Sequence, residues 1–203
     1  MRSFVLIGQT ALASSEFSTE DLPGSSGRLD VLLRCVRAAL LVSHGLRRDV
    51  RVYLVLRGGA RAPRVLRVSG ESAKFLRPDE RSLAILVKKT LAVTAAGAGG
   101  TFEEVRPGLA LCDGDLDVVL RDLGDAPRYL LHEQGSDIRA RPFAGTSLSF
   151  FIGDHGGFDA ESLALLDAAG CQHLAVGPVS LHSDDVVSVL SNELDRRDLL
   201  PSA

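Results

Sequence analysis

The stretch Ser147-Leu-Ser-Phe-Phe-Ile-Gly-Asp-His-Gly-Gly157 passes directly from an apolar, β-rich run into a glycine-rich turn. A short apolar run bounded by turn residues reads as a strand buried on both faces. Glycines at its end let backbone amides approach a ligand closely. Two other segments repeat the arrangement. Tyr129 to His132 reads as a strand that continues into Leu131-His-Glu-Gln-Gly135, and His173 to Val176 as a strand that continues into Ala175-Val-Gly-Pro-Val-Ser-Leu-His182. Asp115–Asp122, Asp159–Ala169 and Ser183–Arg197 carry helical patterns around them. Alternating strands and helices predict an α/β fold with a largely parallel sheet and helices on both faces. Ligands in such sheets bind beyond the carboxyl ends of the strands, so these three loops are the expected site.

Working outward, Arg2–Gly8 reads as a further strand and Asp21-Leu-Pro-Gly-Ser-Ser-Gly27 as a loop. Leu29, Leu32, Leu33, Val36, Leu40 and Ser43 recur at helical spacing and leave Asp30, Arg34 and Arg37 on the opposite side. Val50–Leu56, Pro63–Val68 and Gly108–Leu111 are predicted strands, and Pro78-Asp-Glu opens a helix running through Lys89. Thr94–Thr101, rich in Ala and Gly, reads as a flexible connection within a single domain spanning 1–203.

The 203 residues are 45% hydrophobic, enough for one core that needs no disulfide or structural metal. Cys35, Cys112 and Cys171 are odd in number and widely spaced, unlike a secreted disulfide framework or a zinc knuckle. No uncharged run reaches the length of a membrane span. Arg2 to Ser14 resembles a short signal peptide, but Gln9 and Thr10 interrupt it and a buried first strand accounts for the same residues, so a cytoplasmic location is expected. The net charge of -3 hides a division: Arg28–Lys89 holds 15 Lys/Arg against 5 Asp/Glu, and the remainder holds 8 against 21. Such asymmetry points to one face that binds a polyanion. Only Lys74, Lys88 and Lys89 are lysines, and arginine grips phosphate and stacks on bases, although a GC-rich genome yields the same bias.

No G-x-x-x-x-G-K-[ST], no G-x-G-x-x-G after a strand and no G-x-S-x-G is present, which excludes the common nucleotide-binding and hydrolase signatures. A metal site from Asp154, His155, His182, Asp184 and Asp185 is conceivable, but acids beside a histidine at a helix start more often cap or pair, and no metal is expected.

Phe151-Ile-Gly-Asp-His-Gly-Gly157, with Gly177-Pro-Val-Ser-Leu-His182 and a C-terminal helix, resembles the knotted methyltransferases of the SPOUT superfamily. Asp21-Leu-Pro-Gly-Ser-Ser-Gly-Arg-Leu-Asp30, Arg34-Cys35, Ser43-His-Gly-Leu-Arg-Arg-Asp-Val50 and Pro78-Asp-Glu-Arg81 resemble the TrmY-type tRNA pseudouridine N1-methyltransferases. The resemblance implies a SPOUT fold with a deep C-terminal trefoil knot, a homodimer, S-adenosylmethionine (SAM) as cofactor, and methyl transfer to N1 of pseudouridine in the T-loop of tRNA. Pseudouridine in ribosomal RNA is the alternative substrate, and a non-catalytic RNA-binding knotted protein the alternative class. Carried onto this chain, the family's cofactor loops give Leu131, Gly153, Val176, Gly177, Pro178, Val179, Ser180, Leu181 and Val186. Archaeal members have Leu-His-Ala-Asn-His-Cys where this chain has Leu181-His-Ser-Asp-Asp-Val186; with the modest net charge, that departure points to a bacterial or divergent member.

Methyl transfer from a sulfonium needs no metal and no covalent intermediate. Alignment of the reactants supplies about 7–11 kcal/mol of the barrier, and a general base adds about 10²–10⁴ in rate. Asp30, with Arg28 beside it after the Gly27 turn, is the expected catalytic pair, as base or as orienting group. Arg34, Arg37, Arg47, Arg48 and Arg81 are the expected phosphate contacts.

Overall fold

The computed structural model describes residues 1–93, 100–143, 145 and 147–199. Its central strand is β1 (Arg2–Leu12), paired in parallel with β4 (Val50–Gly58) on one side and β9 (Leu148–Gly153) on the other. Beyond β9 lie β8 (Arg128–Asp137) and then β10 (Gln172–Ala175), both parallel. Beyond β4 the sheet turns antiparallel through β5 (Arg64–Ser69), β7 (Leu109–Asp113) and β6 (Glu103–Arg106). The eight-stranded order is β10-β8-β9-β1-β4-β5-β7-β6.

Successive strand residues point to opposite faces, so the unbroken run Phe4-Val-Leu-Ile7 supplies two cores. Phe4 and Leu6, with Val52 and Leu54, meet α2 (Leu29–Leu40), α3 (Glu80–Leu91) and α6 (Ser183–Leu199) through Leu32, Val36, Leu83, Val87, Val187 and Leu190. Val5 and Ile7, with Tyr53 and Val55, meet α4 (Leu116–Leu123) and α5 (Ala160–Ala168) through Leu116, Val119 and Leu166. The expected largely parallel sheet with helices on both faces is thus present.

Three local expectations are corrected, and one strand lies where none was expected. The helix from Leu29 stops at Leu40, because Leu41 is extended and starts a hairpin of β2 (Leu41–Val42) and β3 (Gly45–Leu46). The loop 21–27 contains a one-turn helix, α1 (Leu22–Ser25), closed by the Asp21 carboxylate accepting from Gly24 N. Glu103–Arg106 forms the edge strand β6 despite its charge, which suits an edge. The strand expected over Tyr129–His132 runs on to Asp137. Most of the predicted connection Thr94–Thr101 lies outside the described residues.

The bend at the end of β1 positions much of the site. Between Gly8 and Leu12 the pairing with β4 shifts register, and the Thr10 carbonyl is pressed between two glycines. A Cβ on Gly27 would lie 1.8 Å from that oxygen and one on Gly58 2.0 Å, so neither position admits a side chain. Gly27 and Arg28 are both left-handed (φ 63° and 67°), and this turn starts α2 with Asp30 in its first turn.

Candidate active site

The three glycine loops converge. β9 ends at Gly153, β10 ends at Ala175 before the 176–182 loop, and β8 contributes a detour. Leu130 pairs with His173 and Ser136 with Leu174, so residues 131–135 bulge out of the ladder. The result is an open cavity of about 340 Å³. Leu131, Ile152, Leu174, Val176, Val179 and Val186 give it apolar walls, and Gly153, Gly156, Gly157 and Gly177 give it backbone. Of the nine residues expected to hold a cofactor, eight line it; Pro178 does not.

The loop after β9 is fixed by its own backbone. Asp154 is buried, and its carboxylate accepts from Gln9 N at 2.9 Å and Gly156 N at 2.7 Å. Each of its oxygens thus holds a backbone amide of the site. Among the described residues no group of three or more His, Cys, Asp or Glu is placed to hold a metal ion. A Cβ on Gly153 would lie 2.6 Å from the Gly157 carbonyl carbon, so only glycine fits there. Ser183 Oγ donates to Gly153 O at 2.8 Å and ties the start of α6 to the same loop. The loop-forming roles of Asp154 and Ser183 go beyond the sequence reading; an Asp one residue after a strand-end Gly and a Ser at a helix start are the signals that carry them.

Neither Asp30 nor Arg28, the expected catalytic pair, lines this cavity; the link is Arg28, which lies close enough to Asp154 to feel its charge. Asp30 is 2% exposed, and its carboxylate accepts from Arg28 Nε (3.1 Å), Arg28 Nη2 (3.3 Å) and Arg34 Nη1 (3.1 Å). Burial pushes the Asp30 carboxyl up, but the hydrogen bonds and charges of Arg28 and Arg34 outweigh it and hold the group below the usual carboxylate range. Arg28 is raised, chiefly by its hydrogen bond to Asp30, with the Asp154 charge adding to it. Arg34 also reaches Asp184 at 3.9 Å and Glu80 at 3.7 Å, linking α2 to the start of α6 and to α3. A carboxylate held by two arginines is a poor proton acceptor near neutral pH and a good orienting group. Burial pushes the Cys171 thiol up to about 11 and Cys35 higher still, so neither is a nucleophile near neutral pH.

The expected phosphate contacts divide. Arg47 forms two bonds to Asp195 (2.8 and 2.7 Å), and Asp195 also binds Arg2 at 2.6 Å. Arg48 donates to Gly70 O and Glu71 O. Arg34 is paired as described, and Arg81 lies 3.6 Å from Glu20 with both side chains largely exposed. Arg37 is exposed, and its side chain makes no hydrogen bond or ion pair with the described residues. Much of the basic segment's charge is therefore answered inside the protein. Arg57 binds Asp115 and Asp159, Arg64 binds Asp113, and Arg51 and Arg67 bind Asp122. The asymmetry read from the sequence is in large part the mark of these pairs between residues far apart along the chain.

Comparison with known proteins decides the family. The model of the family described as "Putative SAM-dependent RNA methyltransferase" matches residues 1–199. The chain belongs to this family of SAM-dependent RNA methyltransferases. The methyltransferase is 40% identical over 199 residues to the tRNA (pseudouridine(54)-N(1))-methyltransferase of Methanococcoides burtonii, covering 97% of this chain and 96% of the relative. It is 40% identical over 200 residues to the protein of the same name in Methanosarcina acetivorans (98% and 92%), and 38% identical over 196 residues to that in Halobacterium salinarum (96% and 96%). Its fold is shared with Archaeoglobus fulgidus Nep1, solved bound to S-adenosylhomocysteine, at a TM-score of 0.68 and 18% identity over 98% of this chain and 99% of that one. The family read from the loop and front-half motifs is borne out. Among the described residues no helix is long and apolar enough to cross a membrane.

Proposed function

We propose that this methyltransferase transfers the methyl group of SAM to N1 of pseudouridine in the T-loop of tRNA, as a cytoplasmic homodimer with a trefoil knot at its C-terminus. The full-length likeness to tRNA pseudouridine methyltransferases at about 40% identity carries the reading. The cavity supports it. Its volume and its apolar walls interrupted by a few backbone groups are those of a site for a nucleoside-sized ligand. Val179 (62% exposed) and Leu181 (38%) leave an apolar lip that a second subunit would cover.

Leu131, Gly153, Val176, Gly177, Val179, Ser180, Leu181 and Val186 would hold SAM, which supplies an electrophilic methyl on a good leaving group. Pseudouridine is joined to ribose through carbon, so its N1 carries a proton that uridine lacks and must give it up, to solvent water in the open cavity, to become the nucleophile. Negative charge then spreads onto the neighbouring carbonyl oxygens of the base. Arg28 has its side chain 41% exposed and its guanidinium held by Asp30, which suits it to stabilise that charge without reorganising. Asp30 acts through Arg28 as a positioning group rather than as the base. Asp154, behind the loop, keeps the 153–157 backbone in place.

The test is incubation of the protein with labelled SAM and matched T-loop stem–loops containing pseudouridine or uridine at the target position. Label should enter the pseudouridine RNA alone; transfer to both RNAs, or to neither, overturns the assignment. Sedimentation mass tests the homodimer.

A further inference from the structure

We propose that Phe75 is a base-stacking residue for the RNA, held away from the protein between two phosphate-binding cations, Lys74 and Arg77; this rests on the reading that the substrate is RNA. Phe75 is 84% exposed, far more than any other large apolar side chain among the described residues. Its backbone is left-handed (φ 64°), a conformation that a bulky side chain rarely adopts and that glycine would adopt freely. The loop is anchored on both sides of it. Ala73 is buried, with its N–H donating to Ser69 O at 2.9 Å, while Leu76 packs on the core and Asp79 caps α3 by accepting from Ser82 N at 2.7 Å. An aromatic ring is thus presented to solvent from a fixed loop in a strained conformation, a combination found at functional sites.

The charges around it specify the ligand. Lys74 and Arg77 are exposed, and their side chains make no hydrogen bond or ion pair with the described residues, unlike most cations of the 28–89 segment, although the exposed Asp79 carboxylate is close enough to Arg77 to feel its charge. Leu76 and Pro78 form one wall of an open groove of about 810 Å³, in which Arg37 also lies. Asp184, Asp185 and Ser188, also lining that groove, belong to the first turns of α6, immediately after the 176–182 cavity loop. Those two acids repel a phosphate backbone from their part of the groove, whereas Phe75, Lys74 and Arg77 are not among its lining residues and stand outside it. Protein interface cores are depleted in lysine, whereas an exposed aromatic between exposed cations is the pattern of a single-stranded nucleic-acid site, where bases stack on the ring and phosphates meet the cations. The substrate RNA would therefore place an unpaired base, other than the one methylated, on Phe75.

The chain contains no tryptophan, so Phe75→Trp introduces a single fluorescent reporter at this position. Its emission should be quenched by a T-loop stem–loop, and the variant's RNA affinity should match wild type. Phe75→Ala and Phe75→Leu should raise the RNA Kd about tenfold, within the range of one base–aromatic stack, with kcat at saturating RNA and cofactor affinity unchanged. Phe75→Gly should weaken RNA binding equally while raising the Tm. Unquenched tryptophan with wild-type RNA affinity in Phe75→Ala overturns the proposal. A change in sedimentation mass with RNA affinity intact also overturns it, in favour of a protein contact. Binding is read with a uridine stem–loop that is not turned over, so quenching by that RNA together with no methyl transfer to the pseudouridine stem–loop would refute the pseudouridine reading and leave the stacking role standing. Transfer without any effect at position 75 would do the reverse.

Discussion

Two glycines in the cavity distinguish strain in the protein from obstruction of its ligand. At Gly153 a Cβ would lie 2.6 Å from the Gly157 carbonyl carbon and 2.8 Å from its Cα. Carbon atoms rest at about 3.5–4.0 Å, so Gly153→Ala requires about 1 Å of separation between these residues. Gly153 pairs with Ile7 in the sheet, which leaves the 156–157 turn to move, away from the Asp154 carboxylate that holds Gly156 N. Loss of that bond costs about 1 kcal/mol, and a displacement of about 1 Å near a reacting centre costs about 10²-fold in rate. Gly177 is the opposite case, with no heavy atom within 4 Å of the position a methyl would take and no left-handed φ. Gly177→Ala should leave the Tm unchanged, yet raise the Kd for S-adenosylhomocysteine about tenfold by intruding on the cavity. Gly153→Ala should lower the Tm by about 2–4 °C and raise the same Kd by about 10-fold or more. Titration calorimetry with S-adenosylhomocysteine, beside thermal melts, separates the two. Normal affinity in both variants would refute the cavity as the cofactor site.

Asp30→Asn should cost about 2 kcal/mol, because it leaves two arginines facing a neutral group, and should lower kcat by about 10²; if Asp30 only orients Arg28, the pH–rate profile keeps its shape, and a changed shape would restore Asp30 as the proton acceptor. Arg37→Ala should weaken RNA binding and reduce its logarithmic salt slope by about 1 at unchanged Tm, while Arg47→Ala should lower the Tm and leave that slope intact; salt-dependent binding titrations check both. Arg64 is 2% exposed and donates to Asp113 and to the carbonyls of Ala13, Leu91 and Val93, so Arg64→Met should cost about 3 kcal/mol in denaturant unfolding. Burial pushes the Asp195 carboxyl up, but its hydrogen bonds from Arg47 and Arg2 hold it below the usual range, as the arginines do at Asp30. A depressed folded pKa contributes stability that is complete above the unfolded value near 4 and lost below it. The Tm should therefore be flat from pH 7 to 5 and fall below about pH 4, with a shallower fall in Asp195→Asn.

Much of the sheet was legible because its central strands carry unbroken apolar runs such as Phe4–Ile7 and Phe150–Ile152, each followed by a glycine. Three loops around one cavity were legible for a related reason, since backbone sites are marked by glycine rather than by reactive side chains. The illegible features depend on neighbours distant in sequence. Glu103–Arg106 is a strand only because β7 is beside it, and the tie between Asp154 and Gln9 spans a parallel crossover. The arginines can be read by type and number, whereas their availability depends on which acids the fold brings to them. Phe75 carries no signal of its own, because an isolated aromatic between cations is indistinguishable in sequence from a core residue; exposure and backbone conformation set it apart.

These long-range pairs also bear on how the protein is made. Arg47 awaits Asp195, 148 residues later, and Arg57 awaits Asp115 and Asp159, 58 and 102 residues later. During translation the cationic segment emerges before its counter-charges exist, beside a ribosome that is itself largely RNA. Until the C-terminal acids are synthesised and docked, the nascent chain is a more indiscriminate polycation than the finished enzyme. Completion of the fold therefore withdraws most of these arginines from nonspecific contact and leaves a small set, Arg37 and Arg77 among them, exposed.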